Sequence, residues 1–323
     1  MGPALAGGPR QLTSNPSLAE TPEAGDTAGL PLLVRWRRAL SVAIHRRPWL
    51  KLLLLLGPPA VWMVVVYLGA LALLFASAFW RQDPVTALVQ RDWSLDNFQT
   101  LLSTEVFRII ALRTLGLALA VTVIDVLLAL PIAYFTARIA PPGLRTVILL
   151  SMTLPLWSSY LVRIYAWRVI LTQGGLVDWI VRRAGLGSFE LGFSNWTLLI
   201  VFCYLWLPFV VLPIYTSIER LPGTLLEASA DLGVRWFGTM RRVVLPLALP
   251  GIIAGSVFSF SLTLGDYIAP SLVGNTEFIG NVVYDNVGVA NNVPFAAAMA
   301  TIPAAIMAIY LLAARRLGAL DAL

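Results

Sequence analysis

Six long apolar stretches constrain this chain more than any other feature. They lie at roughly 52–79, 110–135, 146–169, 196–217, 247–268 and 294–313. A helix needs about 20 apolar residues to cross the hydrocarbon core of a bilayer. Inside lipid, only helices and closed barrels satisfy every backbone hydrogen-bonding group. The sequence therefore predicts an all-α membrane protein with six transmembrane helices.

Composition excludes a soluble globular protein. Hydrophobic residues make up 58% of the chain and charged residues only 12%, whereas about a quarter of the residues in a soluble domain are charged. The net charge is +6, but the arginines cluster beside the apolar stretches, as topology determinants do. We therefore expect contact with membrane lipid and no nucleic-acid partner.

The two ends of the chain differ in character. Residues 1–34 are rich in Gly, Pro, Ser, Thr and acidic residues without apolar periodicity, which predicts a disordered cytoplasmic tail. Residues 35–323 are predicted to form the six-helix transmembrane domain. The basic residues just before the first span are Arg35, Arg37, Arg38, Arg46, Arg47 and Lys51. This cluster predicts a cytoplasmic N-terminus, and six crossings return the C-terminus to the cytoplasm as well.

Catalytic and metal chemistry have little support. The chain holds one cysteine, Cys203, and one histidine, His45, so a Cys/His metal site is not expected. Its only lysine, Lys51, precedes leucines rather than following a glycine loop, which excludes a Walker A motif. No catalytic pair is apparent either. We expect no enzyme activity and no cofactor, and any ATP that drives the protein would be hydrolysed by another chain.

A polar insert at 219–246 interrupts the apolar pattern between the fourth and fifth spans. It has the pattern of two short helices that meet at Gly233, a residue that tolerates the left-handed conformation ending a helix. Pro222 suits a first helical turn, and Pro246 is expected to begin the next membrane helix. The charge pattern predicts that the insert is cytoplasmic. An ordinary amphipathic loop is the alternative interpretation.

The insert resembles the EAA loop of ABC importer permeases, which reads Glu-Ala-Ala, three residues, Gly, nine residues, Ile-x-Leu-Pro. The positions in register are Glu227, Ala228, Gly233, Leu245 and Pro246. Ser229 and Val243 depart from the pattern. This resemblance implies that the loop docks on a cytoplasmic ABC ATPase dimer, which would bind ATP and Mg²⁺, and that it couples the ATPase to the membrane helices.

Two further stretches, Leu154–Trp167 and Leu264–Asn275, resemble the spermidine/putrescine subfamily of these permeases. The resemblance implies a MetI-like type I fold in the bacterial inner membrane. It also implies a second homologous permease, a periplasmic solute-binding protein and a polyamine substrate. Two alternatives stay open. One is the same machine carrying an opine, amino-acid derivative or aminophosphonate, and the other is an ATP-independent carrier coupled through Asp125.

A polar stripe in the fifth span is a candidate substrate path. Ser256, Ser259, Thr263 and Asp266 follow helical spacing and share one face. Such a stripe ending in a carboxylate can line a path for a cation. The alternative is local: Ser and Thr bond their own backbone, and Asp266 caps a helix end. In the same span, Gly251 and Gly255 form a GxxxG pattern that predicts either close packing or a dimer seam.

Other path candidates lie in the second and third spans. Asp125, deep in the second span, either binds a cationic substrate or pairs with an arginine such as Arg163. Tyr160, Arg163 and Trp167 share a face, which predicts either a gate that stacks on the substrate or an interfacial aromatic belt. We expect Asp266, Tyr267, Tyr160 and Trp167 to line the path.

Overall fold

The computed structural model describes residues 48–83, 86–187 and 191–316. The predicted tail and the arginines before residue 48 lie outside the described residues. The α-helices are α1 Pro48–Trp62, α2 Gly69–Ser77, α3 Asp96–Ser103, α4 Glu105–Arg138, α5 Pro142–Thr153, α6 Tyr160–Leu171, α7 Leu176–Arg183, α8 Asn195–Glu219, α9 Gly223–Asp231, α10 Trp236–Thr239, α11 Leu245–Gly265, α12 Ile268–Val273, α13 Ile279–Gly288 and α14 Val293–Arg316. A short antiparallel hairpin pairs β1 Arg81–Gln82 with β2 Val89–Gln90.

The chain divides into two compact units, one up to Ala70 and the other from Leu71 onwards. The described part of the first unit is α1 and a π-helical stretch, Met63–Leu68. Apart from the span that begins at Lys51, the elements discussed below belong to the second unit.

Five continuous helices within the described ranges are long and apolar enough to cross a membrane. They are Lys51–Ser77, Glu105–Arg138, Asn195–Glu219, Trp236–Gly265 and Val293–Arg316. These helices match the first, second, fourth, fifth and sixth predicted spans. The mostly helical membrane fold predicted from hydropathy is confirmed.

The third predicted span, 146–169, is not one continuous helix. Its two halves, Pro142–Trp157 and Tyr160–Arg183, are bent by 102° at a short break, so the pair is either a broken span or a re-entrant segment. A 3₁₀ turn at Leu154–Trp157 ends the first half, and Ser158 is extended with ψ 152°. Pro155 lies in this turn, where its missing N–H cannot support a continuing α-helix.

The core of the second unit forms where α4, α8 and α11 pack against one another. Gly251 and Gly255 of α11 make the closest approach to α8. A Cβ at Gly251 would lie 2.5 Å from the Pro213 carbonyl oxygen, and one at Gly255 would lie 2.9 Å from the Val210 Cα. The GxxxG pattern is therefore a close-packing seam within this chain.

The fifth span begins earlier than predicted. Pro246 lies in the first turn of the α-helix Leu245–Gly265, as predicted, but the helical backbone extends back without a break to Trp236. A π-helical stretch, Met240–Val244, precedes the proline, and the Leu245 N–H bonds the Met240 carbonyl. Wider π turns re-satisfy backbone groups that a proline would leave unpaired. The polar insert is thereby joined to the membrane helix without a break.

Candidate functional site

The polar insert folds as the predicted pair of helices. Helix α9 ends in a left-handed residue, Gly233, with φ +71°. The Gly233 N–H bonds the Ala230 carbonyl at 2.8 Å, and the Val234 N–H bonds the Ser229 carbonyl at 3.1 Å. This is the Schellman pattern, in which glycine is favoured because it lacks a Cβ. The predicted role of Gly233 as the break between two helices is confirmed.

Ser229, one of the two departures from the EAA pattern, joins the two helices of the insert. Its hydroxyl shares a hydrogen bond with the Thr239 hydroxyl at 2.8 Å, and the side chain is buried. The departure therefore supplies a contact that an alanine cannot make. It fixes α9 against the start of the helix that enters the bundle.

The outer surface of the insert combines a carboxylate with unpacked apolar side chains. Glu227 and Ala228 of α9 are exposed. Leu232 is 82% exposed, and Phe237 is 70% exposed. Exposed large apolar groups around polar ones are typical of surfaces that bind another protein.

The inner side of the insert packs on α4. Trp236 meets the Tyr134 ring edge-on, with centroids 6.3 Å apart. Leu245, Met240, Tyr134 and Trp236 together line a cavity of about 390 Å³. Pro246 is exposed. Of the five residues in register with the EAA pattern, Leu245 therefore packs inward and Glu227, Ala228 and Pro246 face outward.

The other end of α11 carries the second cluster of predicted residues. Asp266 follows the last residue of α11, and its Oδ1 accepts a hydrogen bond from the Ala269 N–H at 2.9 Å. Its Oδ2 accepts a hydrogen bond from the Tyr160 hydroxyl. Burial raises the pKa of the Asp266 carboxyl above its ordinary value, and both hydrogen bonds oppose that rise. Asp266 thus caps α12, as the alternative interpretation predicted, and also binds the start of α6.

Aromatic rings surround this carboxylate. Tyr160 stacks on Trp206 of α8 with ring centroids 6.0 Å apart, and the Arg163 guanidinium lies 5.9 Å from the Tyr160 ring. Trp206 is only 7% exposed, and its indole N–H has no hydrogen-bond partner among the described residues. Trp206, Asp266 and Tyr267 line a cavity of about 310 Å³. The site thus offers aromatic faces, one carboxyl group and two buried donors without a hydrogen-bond partner among the described residues, the Trp206 indole N–H and the Arg163 Nε–H.

Helix α13 supports the backbone of Asp266 and Tyr267. The Tyr267 ring stacks on Tyr284 with centroids 4.6 Å apart. The Asn281 side chain donates to the Tyr267 carbonyl at 3.1 Å. A Cβ at Gly280 would lie 2.5 Å from the Asp266 carbonyl oxygen, so only glycine allows this approach.

Asp125 belongs to a separate group in the middle of the bundle. It is fully buried, and its Oδ2 accepts a hydrogen bond from the Ser259 hydroxyl at 2.6 Å. The predicted pairing with Arg163 is absent from the described ion pairs, because Arg163 stacks on Tyr160 instead. Thr263 bonds the backbone carbonyl of Ser259 at 2.8 Å. Ser256, Ser259 and Thr263 are therefore buried in the packing of the bundle, whereas Asp266, at the end of the stripe, lines a cavity.

Trp167 is also separate from the Asp266 cluster. Its ring packs against Tyr204 of α8, with centroids 5.2 Å apart. It contributes to the apolar cluster around Phe202 and Leu205. The structure thus brings together Tyr160, Arg163 and Asp266, with Tyr267 beside them, and leaves Trp167 in the core packing.

Four residues of this site were not predicted: Trp206, Gly280, Asn281 and Tyr284. Trp206 lies in an uninterrupted apolar run, where nothing distinguishes it from a packing residue. Gly280 and Asn281 act through backbone contacts that depend on how α13 folds back onto Asp266. No group of three His, Cys, Asp or Glu residues suited to a metal ion occurs within 48–83, 86–187 and 191–316.

Comparisons with known proteins extend these observations. The family described as "Binding-protein-dependent transport system inner membrane component" matches residues 118–320. The inner membrane ABC transporter permease protein YdcU of Escherichia coli K12 is 43% identical over 290 residues, which cover 85% of this chain and 92% of that protein. The spermidine/putrescine transport system permease protein PotB of the same organism is 32% identical over 256 residues, covering 78% and 92%.

A solved structure shares the fold. A bacterial ABC transporter involved in the import of the acidic polysaccharide alginate superimposes with a TM-score of 0.65 at 18% identity, covering 86% of this chain and 97% of the matched chain. A structure of a bacterial alginate ABC transporter in complex with an alginate pentasaccharide-bound periplasmic protein also matches with a TM-score of 0.65, at 18% identity.

Proposed function

Because the chain belongs to the family of binding-protein-dependent transport system inner membrane components, and is therefore a permease subunit of an ABC importer, we propose that it carries a polyamine. As a permease subunit, it is not itself an enzyme, and it acts with an ATPase and a solute-binding protein. We propose that spermidine or putrescine enters at the Asp266 end, which faces the periplasm. The Glu227–Pro246 insert then lies in the cytoplasm.

The observation that carries the polyamine proposal is the carboxyl group of Asp266 among aromatic rings. An ammonium group is attracted both to a carboxylate and to the face of Tyr or Trp. Tyr160, Trp206 and Tyr267 provide those faces beside Asp266. The spermidine/putrescine permeases among the relatives support the same class of substrate.

The insert supports the second half of the proposal, coupling to the ATPase. Glu227 lies on an exposed helix that also presents Leu225 and Leu232. We propose that two cytoplasmic ATPase subunits hold this surface and the matching surface of a second, homologous permease. Closure of the ATPase pair on ATP would then move α9 and, through the unbroken helix 236–265, the Asp266 end.

The test is ATP-driven uptake of labelled spermidine and putrescine into proteoliposomes that hold the permease pair, ATPase and binding protein. We expect Glu227→Ala to abolish uptake while Asp231→Ala, an exposed carboxylate one turn further along α9, leaves it unchanged. We expect Asp266→Asn to lower uptake by about tenfold, the change that 1.4 kcal/mol of lost interaction produces. The exposed Asp92→Asn is its control. Full uptake by Asp266→Asn would count against the substrate site.

A second candidate substrate is favoured by Trp206. Its buried, unpaired indole N–H is a donor that a fully protonated polyamine cannot satisfy. The Arg163 guanidinium nearby also suits an anionic group. A solute that carries both an ammonium and an oxygen acceptor, such as an amino-acid derivative, would bind Asp266 through its ammonium and Trp206 and Arg163 through its acceptor.

Trp206→Phe separates the two candidates, since it keeps an aromatic ring beside Tyr160 and removes the indole N–H donor. For a polyamine, uptake should be unchanged. For an acceptor-bearing solute, uptake should fall by about tenfold, the loss expected when one hydrogen bond in a site is removed. Competition by unlabelled amino-acid derivatives against spermidine uptake provides an independent measurement.

A further inference from the structure

Arg138, the last residue of α4, binds the backbone at the corner between α8 and α9. Its guanidinium donates to two carbonyls, that of Ile218 in the last turn of α8 and that of Leu221 in the linker to α9. The carbonyls at the end of a helix have no partner within the helix. A cation at this end also complements the helix dipole. Arg138 therefore spans the corner and holds both of its sides.

Arg145, near the start of α5, binds the same end of α8. It forms an ion pair with Glu219, the last residue of α8. Its Nε donates to the Tyr215 hydroxyl at 2.6 Å, and its guanidinium lies 5.2 Å from the Tyr215 ring. A cation in the first turn of a helix opposes that helix's dipole. The position of Arg145 in α5 is thus explained by its contacts with α8 rather than by α5 itself.

We propose that Arg138 and Arg145 are positioning residues that connect the coupling helix α9 to α4 and α5. This inference rests on the proposed coupling role of the insert. The Arg138 contacts reach Leu221, two residues before α9 begins at Gly223, and the Arg145 contacts end at Glu219, the last residue of α8. When an ATPase displaces α9, the arginine contacts carry that displacement to α4 and α5 instead of letting the linker absorb it.

The path through Arg145 leads to the substrate cluster. From α5 the chain runs through the Leu154–Trp157 turn and the bend at Ser158 to Tyr160, which binds Asp266. The other end of the insert leads through the unbroken helix 236–265 to the same Asp266. Both sides of α9 are thus connected to the two partners of one hydrogen bond. Loss of either connection should uncouple the motion of α9 from the motion of Asp266.

The experiment compares variants in reconstituted transporter by the ratio of spermidine taken up to ATP hydrolysed. We expect Arg138→Gln to lower this ratio by about tenfold, within the usual range of coupling between sites. The ratio for Arg138→Lys should lie between those of the wild type and Arg138→Gln, because an ammonium lacks the planar fork that reaches two carbonyls. The matched control is Arg220→Gln, an exposed arginine at the same corner, which should leave the ratio unchanged.

A charge exchange tests Arg145 independently. Arg145→Glu should lower the ratio, and combining it with Glu219→Arg should restore it. A merely structural role would lower the amount of assembled complex but leave unchanged the ratio of spermidine taken up to ATP hydrolysed by the transporters that do assemble. An unchanged ratio in Arg138→Gln would overturn the proposal.

Failure of the underlying function gives a different result. If the wild-type transporter takes up no spermidine, the stimulation of ATPase activity by the binding protein replaces uptake as the readout. Loss of that stimulation in Arg138→Gln, with Arg220→Gln unaffected, would support the arginine contacts whatever the substrate is. Equal stimulation in both variants would overturn them.

Discussion

Gly280 shows how one missing side chain determines the geometry of the substrate cluster. A Cβ at this position would also lie 3.1 Å from the Tyr267 Cβ, besides clashing with the Asp266 carbonyl. Because the nearest clash is with backbone, no rotation of a side chain relieves it. The close approach of α13 to Asp266 and Tyr267 therefore requires glycine.

We predict that Gly280→Ala displaces Asp266 from Tyr160 and lowers uptake. Overpacking of this kind costs about 1–3 kcal/mol. Gly288→Ala is the control, since it lies in the same helix and its Cβ would meet nothing within 4 Å. The measurements are spermidine uptake and the melting temperature of the purified complex. Wild-type behaviour of Gly280→Ala in both would contradict the prediction.

At the scale of elements, the contact between α8 and α11 is where the proposed motion of the insert would reach the bundle. Gly251 and Gly255 bring the two helix backbones together along one seam. Helix α11 is the continuation of the insert, so the seam is where the helix that we propose to move meets the core. Small residues permit this contact in a membrane, where burial alone provides little force between helices.

We predict that Gly251→Ala and Gly255→Ala each destabilise the complex by about 1–3 kcal/mol, because each adds a methyl group against backbone atoms of α8. Gly116→Ala on α4 is the control, as its Cβ would meet nothing within 4 Å. The melting temperature of each variant is measured by heating the protein in detergent and recording the loss of monomeric protein. Equal melting temperatures for the three variants would show that the seam tolerates the added volume.

At the scale of the whole molecule, the proposed function requires the cavity at Asp266 to open and close. Ser261 lines that cavity beside Trp206 and Asp266. The chain has a single cysteine, Cys203, and it is buried. A cysteine introduced at Ser261 can therefore be labelled against a low background.

We predict that a membrane-impermeant maleimide labels Ser261→Cys faster when the ATPase is held in its ATP-bound state, because the cavity then faces the periplasm. Excess spermidine should slow the labelling by occupying the cavity. Asn275→Cys, at an exposed position beyond α12, should be labelled equally in both states. A rate at Ser261→Cys that is independent of nucleotide would contradict an opening at this end.

Sequence by itself determined the elements that depend on local physical chemistry. Apolar runs of membrane length predicted the five continuous spans, since lipid requires a helix wherever the chain crosses it. Typed residues at fixed spacing predicted the insert and its break at Gly233, because a left-handed helix end is a local property of glycine. The continuity of the helix through Pro246 was missed, since a π turn that accommodates a proline leaves no mark in the residue pattern.

Tertiary structure alone decided which of these residues meet. Tyr160 and Asp266 are 106 positions apart, and Arg138 lies 80 positions from Ile218. Such contacts depend on the rotation and tilt of whole helices, and many arrangements bury the same apolar faces equally well. For this reason the sequence left open whether Asp125 pairs with Arg163. In the fold Asp125 binds Ser259 and Arg163 stacks on Tyr160, while arginines that signal topology in the sequence hold a helix corner.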